Sequence, residues 1–343
     1  MLDTNNIVIA TRGSALALAQ ANTIFNQCRK AFPKLNFEIK IIKTTGDKLQ
    51  SQNPKPDQSL PKGLFTKELE VALIKQKADM AIHSLKDLPT ELPSGLILGA
   101  IAKREDPREV IVYRDQEHFE KISFSNNACE NETSNTPYKC FAPGLNIQDL
   151  PNKLTVATSS PRRKSQLLRL RPDWDIIQIR GNVPTRLEKL ATKTKFDATI
   201  LAYAGLRRLD FEIDKDGILH GDAVPDGINA TIIETSDMLP CVGQGAIGIE
   251  IRENDERLSK LCQRLNHYST QVCTEAERAF LSAMGGGCQS PVAAHAVIHN
   301  DIIQMPGMSF GNGNSFSESK VSGNANDAKS LGSKLAKQIK AGL

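Results

Sequence analysis

The sequence predicts an α/β protein with two strand–helix domains and a smaller C-terminal α+β domain. Three observations carry that prediction. Short apolar runs alternate with helix-period segments over residues 7–102, and the pattern starts again over 154–202. A polar, aperiodic stretch at 116–152 separates the two sets. Beyond Asn266 a helical pattern, a glycine loop and a further apolar run make a third unit.

Residues 7–10 form a short apolar strand. Ser14 is placed to cap a helix over 15–32 whose one side is rich in Ala and Leu. Residues 37–42 alternate as a strand. Over 65–77, Phe65, Leu69, Ala72, Leu73 and Gln76 recur at helical spacing. Residues 78–83 and 96–102 read as buried strands. In the second set, 154–157, 174–179 and 198–202 read as strands, and 162–171 and 185–191 as helices. Both sheets are expected to be mainly parallel. The stretch 116–152 reads as a long exposed loop or insertion, with no pairing expected between Cys129 and Cys140. A helix over 270–283 precedes the glycine loop, and 292–298 is apolar. The Gly/Ser/Asn-rich stretch 311–326 suggests hairpin turns, and 328–341 a closing basic helix with Asp327 as its N-cap.

Hydrophobic residues make up 40% and charged residues 24%, which fits an ordinary globular chain. No apolar run approaches the roughly 20 residues of a membrane span. The first residues show no secretory pattern, and seven scattered cysteines suit reduced thiols in a cytoplasm. The net charge of +4 hides an uneven distribution: residues 162–208 hold eight Arg and four Lys against four acids. A local basic surface on a nearly neutral chain points to an anionic ligand.

The stretch Gly285-Gly286-Gly287-Cys288-Gln289-Ser290-Pro291 is the most informative one. Three glycines are costly to order and serve where the backbone needs positive φ or close approach. A thiol at the tip of such a loop is available for a covalent bond; a small apolar side chain in a turn is the plain alternative. Four more clusters fall where strands give way to loops or helices: Thr11–Ser14, His83–Pro89, Thr158–Arg163 and Arg180–Arg186. Hydroxyls and free N–H groups at helix starts bind anions, and adjacent arginines add bidentate forks. Phosphate and carboxylate are not separated by this argument, although no nucleotide P-loop pattern is present. Asp87, the one acid in its cluster, suits general acid/base work or holding a cation. His83 reads as a packed histidine. No set of side chains has metal-site spacing, and no histidine stands out as a base for Cys288, although His295 is close in sequence.

Together these segments resemble the porphobilinogen deaminase (hydroxymethylbilane synthase) family over nearly the whole chain. The resemblance rests on Ala10-Thr11-Arg12-Gly13-Ser14, Lys62-Gly63-Leu64-Phe65-Thr66-Lys67-Glu68-Leu69-Glu70 and His83-Ser84-Leu85-Lys86-Asp87-Leu88-Pro89. It continues through Thr158-Ser159-Ser160-Pro161-Arg162-Arg163, Arg180-Gly181-Asn182-Val183-Pro184-Thr185-Arg186, Val242-Gly243-Gln244-Gly245-Ala246 and Gly286-Gly287-Cys288. It implies two periplasmic-binding-protein-like domains followed by a third. Domain 1 would span 1–104 and 241–264, domain 2 would span 105–240, and the C-terminal domain 265–343.

The resemblance also implies an enzyme that condenses porphobilinogen units head to tail, releasing ammonia at each step. A dipyrromethane cofactor would be attached to Cys288 by a thioether, with Ser84, Lys86, Ser160, Arg162 and Arg163 around it. Arg12, Ser14, Arg180, Arg186 and Arg208 would bind substrate carboxylates, and Asp87 would be the catalytic acid group. A cytoplasmic monomer without nucleic-acid or membrane partners is the accompanying expectation. Pro161 and Pro184 depart from the family pattern but are tolerable near helix starts; the segment 116–146 is longer than expected. Two rivals remain at this stage. A solute-binding protein fits the α/β pattern but not the cysteine loop. A nucleic-acid binder fits the basic segment, but only 5% of residues are aromatic.

Overall fold

The computed structural model describes residues 6–47, 65–126, 138–287, 290–311 and 315–343. The chain forms two compact units, one from Met1–Pro107 with Leu239–Leu343 and one from Arg108–Met238.

The first unit begins with β1 (Asn6–Thr11), the helix Ala15–Ala31, β2 (Asn36–Ile41), the helix Lys67–Ile74, β3 (Met80–Ser84) and β4 (Leu96–Ile101). The helix Ala15–Ala31 starts on the expected cap, Ser14 accepting from Ala17 N, while its buried stripe is Ala17, Gln20, Ala21, Ile24 and Cys28 and includes no Leu.

The second unit is continuous. It holds β5 (Glu109–Arg114), the helix Gln116–Asn126, β6 (Thr155–Ala157), the helix Pro161–Leu170, β7 (Asp175–Ile177) and the helix Val183–Thr192. β8 (Ala198–Ala202), the helix Tyr203–Arg208, β9 (Glu212–Ile213), β10 (Leu219–His220) and β11 (Ile228–Ile233) follow. The five-stranded sheet has the order β11-β5-β8-β6-β7. Every residue of β5 is buried. Val110 and Val112 pack with Leu187, Leu190 and Leu201, while Ile111 and Tyr113 pack with Leu154, Leu167 and Trp174. A strand covered on both faces needs a continuous apolar run, and Val110–Tyr113 is one.

Back in the first unit, β12 (Ile247–Arg252) inserts between β3 and β4, antiparallel to both, giving the order β2-β1-β3-β12-β4. The helix Glu256–Leu265 covers this sheet with Leu258, Leu261, Cys262 and Leu265. Each such side chain removed from water contributes about 1.5–3 kcal/mol. The remainder is the α+β domain. The helices Tyr268–Ala283 and Ala328–Ala341 share a core with β13 (Val292–Ala294), β14 (Val297–His299), β15 (Ile302–Phe310) and β16 (Phe316–Asn324). The two helices cross closely: a Cβ at Gly332 would run into the main chain of Ala276 and Phe280.

The α/β class with a smaller C-terminal α+β domain is as expected, and four details differ. The sheets are not mainly parallel. In each, two pairings are parallel and two antiparallel, because β12 enters the first sheet from a distant return segment and β5 runs against both neighbours in the second. The stretch 116–152 is not a loose loop where it is described. Gln116–Asn126 is helical, and Phe141, Ile147 and Leu150 are buried in the core with Tyr113 and Trp174. Arg171 donates to the carbonyls of Ile147, Leu150 and Pro151, satisfying main chain that has no sheet partner. Cys140 is unpaired with any cysteine; Cys129 lies outside the described residues. The expected hairpin joins β15 to β16 through the paired Phe310 and Phe316, but most of 311–326 is not turn: it is the long strand β16, whose Ser317 and Val321 alternate inward. Asp327 does occupy an N-cap position, but its side chain accepts no capping hydrogen bond.

Candidate active site

In the first unit, β1 and β3 end side by side. Thr11 is buried and donates through its hydroxyl to Ala17 O (3.1 Å). The next residue, Arg12, turns to Asp47: its Nη2 lies 2.5 Å from Oδ1, and its guanidinium stacks 4.1 Å from the centre of the Phe65 ring. Burial alone would raise the Asp47 carboxyl, but hydrogen bonds from Arg12 and Thr44 outweigh it and hold the pKa below its ordinary value. Ser14 spends its side chain as the helix cap already described.

At the end of β3, Ser84 accepts from Nε2 of the buried Gln20 at 2.8 Å. Leu85–Asp87 then form a single 3-10 turn. Leu85 N donates to Ala246 O (3.0 Å), and Lys86 Nζ to Gln244 Oε1 (3.3 Å). The Leu85 and Leu88 side chains are buried together with Ile101 and Ala246. Asp87 lies between them, half-buried, and among the described residues its carboxylate has no hydrogen-bond or ion-pair partner. The turn is firmly held while its half-exposed carboxylate stays open to solvent or ligand.

The segment Val242–Ala246 explains the hold. Gly243 and Gly245 both have left-handed φ, +71° and +84°. A Cβ at Gly245 would collide with the Glu105 carbonyl, so the main chain passes here only as glycine. Gln244 is buried, donating to Pro107 O (2.7 Å) and accepting at its own carbonyl from Arg104 Nε (2.7 Å). Arg104 also forms a fork on Glu277, at 2.6 and 3.2 Å. Glu277, fully buried, further accepts from Gly243 N (2.7 Å) and Ala296 N (2.8 Å). One carboxylate thereby fills its four acceptor positions and joins three distant segments. His83 is buried as expected, with Nε2 2.9 Å from Glu250 Oε2.

In the second unit, Ser160 caps the helix Pro161–Leu170 by accepting from Arg163 N, and Asn182 caps Val183–Thr192 the same way at Thr185 N. Pro161 and Pro184 sit in the first turns of these helices, where their missing N–H costs nothing. Arg162 and Arg163 are not splayed into solvent. Both are buried, and both bind Glu109 at the start of β5: Arg162 through Oε1 and Arg163 through Oε2 at 2.7 Å. Arg163 also donates to Ile200 O (2.8 Å), while its buried Nε has no hydrogen-bond partner among the described residues. Arg186 donates through Nε to Gly181 O (2.8 Å); burial and then the neighbouring Arg163 push its pKa down to about 10. Arg180 O accepts from Lys189 Nζ, and the Arg180 guanidinium has no partner among the described residues. Arg208 ends the short helix Tyr203–Arg208.

The structure therefore gathers Ser84, Lys86 and Asp87 on one turn, and Arg162 and Arg163 on Glu109 at the start of β5, with Arg186 close enough to Arg163 to feel its charge. Arg12 and Ser14 lie on the turn after β1. Cys288 lies outside the described residues, as does the Lys62-Gly63-Leu64 motif. Sequence reasoning missed Glu109, Gln244 and Glu277. Two of these carried a legible signal: Glu109 is the acid that opens the run Val110–Tyr113, and Glu277 is a charge among the core positions Cys273, Ala276 and Phe280. Among the described residues no group of three or more His, Cys, Asp or Glu is placed to hold a metal ion, and no helix is long and apolar enough to cross a membrane.

The fold and these groups define a class: an α/β protein whose first unit holds a half-buried carboxylate, Asp87, on a strand-end turn, and whose second unit holds arginines at helix starts. Comparison with known proteins gives the family. The profile described as "Porphobilinogen deaminase, dipyromethane cofactor binding domain" matches residues 7–260, and "Porphobilinogen deaminase, C-terminal domain" matches 271–341. The curated porphobilinogen deaminase of Moorella thermoacetica is 38% identical over 97% of this chain and 92% of its own length. That of Pelotomaculum thermopropionicum is 37% identical over 97% and 93%. The one from Chloroherpeton thalassium is 40% identical over 86% and 79%. The chain belongs to the porphobilinogen deaminase family. Likeness to a solved structure, the BvgS periplasmic domain of B. pertussis, reaches only a TM-score of 0.36 at 13% identity, over 77% of this chain and 40% of that one, and carries no argument.

Proposed function

We propose that this chain condenses four porphobilinogen molecules head to tail on a dipyrromethane carried by Cys288, releasing ammonia at each step and then hydroxymethylbilane by hydrolysis. The observation that carries the reading is Asp87: a carboxylate on a turn held at both ends, without a partner among the described residues.

Porphobilinogen must lose its aminomethyl amine, which leaves a cationic azafulvene. A fixed carboxylate stabilises that cation and takes or returns the pyrrole protons. Asp87 has the freedom for this because, among the described residues, no protein group competes for its oxygens. When bound, the dipyrromethane supplies the first pyrrole nucleophile and keeps the growing chain tethered. The donor set fits such a group. Each pyrrole bears an acetate and a propionate, and the buried Nε of Arg163 has no hydrogen-bond partner among the described residues. Arg186, destabilised as a cation by burial and by Arg163, gains from an incoming carboxylate. We assign Ser84, Lys86, Ser160, Arg162 and Arg163 to the cofactor, and Arg12, Ser14, Arg180, Arg186 and Arg208 to substrate and chain carboxylates. Arg12 must then share its fork with Asp47. Function as a cytoplasmic monomer without nucleic acid or membrane accompanies this reading; size exclusion at working concentration checks the first part.

The test has two arms. The intact mass of the denatured protein should exceed the sequence mass by one dipyrromethane, and Cys288→Ser should remove the excess. Asp87→Asn should fold and load the cofactor yet lose most of its single-turnover elongation rate, whereas Asp87→Glu should be slowed but active. An active enzyme without added mass, or an Asp87→Asn enzyme elongating at the wild-type rate, rejects the reading.

A further inference from the structure

We infer that Arg278 is a positioning residue for the condensation. It holds the main chain directly after Asp87, and it does so from the helix that leads into the Cys288 loop. The inference rests on the role proposed for Asp87.

Arg278 lies on the helix Tyr268–Ala283, half-buried. Its guanidinium meets three consecutive carbonyls: Nη1 donates to Leu88 O at 3.1 Å, and Nη2 to Pro89 O at 2.6 Å and Thr90 O at 3.3 Å. A planar fork can hold several acceptors at once, which a single ammonium cannot do in the same geometry. The other side of the turn is fixed independently, by Leu85 N on Ala246 O and by Leu88 N on Leu85 O. Pro89 adds a fixed φ immediately after the buried Leu88. Asp87 is thus one residue from a main-chain anchor on the Arg278 side and two from one on the Ala246 side. Among the described residues, its own side chain contributes nothing to this hold.

Attachment of the helix alone does not require this contact. Glu277, one residue earlier, already ties the same helix to Arg104, Gly243 and Ala296. Arg278 reaches a different place, the loop that carries the reacting carboxylate. The helix ends at Ala283, and Cys288 follows five residues later. One side chain therefore links the turn of Asp87 to the segment from which the cofactor cysteine departs.

The experiment compares Arg278→Met and Arg278→Lys, each in the wild-type and Asp87→Asn backgrounds. Single-turnover elongation is followed by mass per loaded enzyme, alongside dipyrromethane occupancy and Tm. Arg278→Met should load normally but elongate about tenfold more slowly or worse, with the porphobilinogen concentration for half-saturation changed less than about twofold. Arg278→Lys should fall between the two. In the Asp87→Asn background, neither substitution should slow elongation further, since residues acting through one group are not additive. If Arg278→Met slows Asp87→Asn by the factor it imposes on wild type, Arg278 acts independently of Asp87 and the inference is wrong. Reduced loading or Tm with unchanged elongation per loaded molecule also overturns it, as a purely structural staple. Should Arg278→Met not fold, the Lys variant carries the same comparison. A full-rate Asp87→Asn enzyme would overturn the Asp87 role and this inference together, so the two failures are distinguishable.

Discussion

Glu277→Gln is the sharpest perturbation of the frame behind the site. The wild-type carboxylate receives two N–H groups from Arg104 and one each from Gly243 and Ala296. An amide offers one oxygen, and its NH2 must face donors whichever way it is turned. The Oε1 side receives Arg104 Nη1 and Ala296 N; the Oε2 side receives Arg104 Nη2 and Gly243 N. Either orientation therefore strands one guanidinium N–H and one main-chain N–H and leaves the arginine without its counter-charge. Breaking a buried ion pair by removing one partner costs about 3–5 kcal/mol. Arg104 retains 11% side-chain exposure, so some water relief is available, and ~4 kcal/mol is a fair expectation. At ~2 °C per kcal/mol for a chain of this size, Tm should fall by about 8 °C. Differential scanning calorimetry of the cofactor-loaded protein reads this directly. The double variant Glu277→Leu with Arg104→Met should recover part of the loss, because no unpaired charge remains, though the Gly243 and Ala296 N–H groups stay unsatisfied. A Tm drop below ~2 °C, or a double variant costing the sum of the two singles, would refute the reasoning.

Three further outcomes are expected. Asp47 has a folded pKa below its ordinary value, so its contribution is present above the unfolded carboxylate pKa of about 4 and is lost as pH falls through the folded one. Asp47→Asn should thus be less stable than wild type at neutral pH, with the gap closing in acid; a gap constant from pH 7 to 2 contradicts the pairing. Phe141→Ala should cost about 3–5 kcal/mol by urea unfolding, and replacing 116–146 by a short Gly/Ser linker, harmless on composition alone, should destabilise the second unit. Cys28, Cys262 and Cys273 are buried, and burial pushes each thiol up to about 12, so none should react with a thiol reagent in the native protein at pH 8; rapid native labelling of any of them contradicts this.

What could be read before the structure follows from how local each signal is. The helix Ala15–Ala31 announces itself through Ser14 and a side rich in Ala and Leu, and β3 through an apolar run ending in the Asp87 cluster. Both depend on residues a few positions apart. β12 is equally apolar, yet its register with β3 pairs Ile249 with Ile82, and nothing local reveals a partner that far away. The site divides the same way. Arginines at helix starts were visible as cations, but not that Arg162 and Arg163 converge on Glu109, more than fifty residues earlier. Composition misled at Phe141, Ile147 and Leu150. Few apolar residues in a polar stretch suggested a loose loop, whereas those few are the ones that anchor it.

The position of β12 has a consequence for the order in which a ribosome releases this chain. β3 and β4 are synthesised early, but among the described residues β4 has no sheet partner other than β12, and β3 shows one open edge until β12 arrives. All of Arg108–Met238 emerges in between and can fold as a continuous piece. The nascent first unit must therefore wait, with two strand edges uncovered, for more than a hundred residues of translation. Uncovered edges are templates for wrong pairing. Substitutions in 247–252 should accordingly lower the yield of soluble protein during synthesis more than they lower the stability of protein that has already matured.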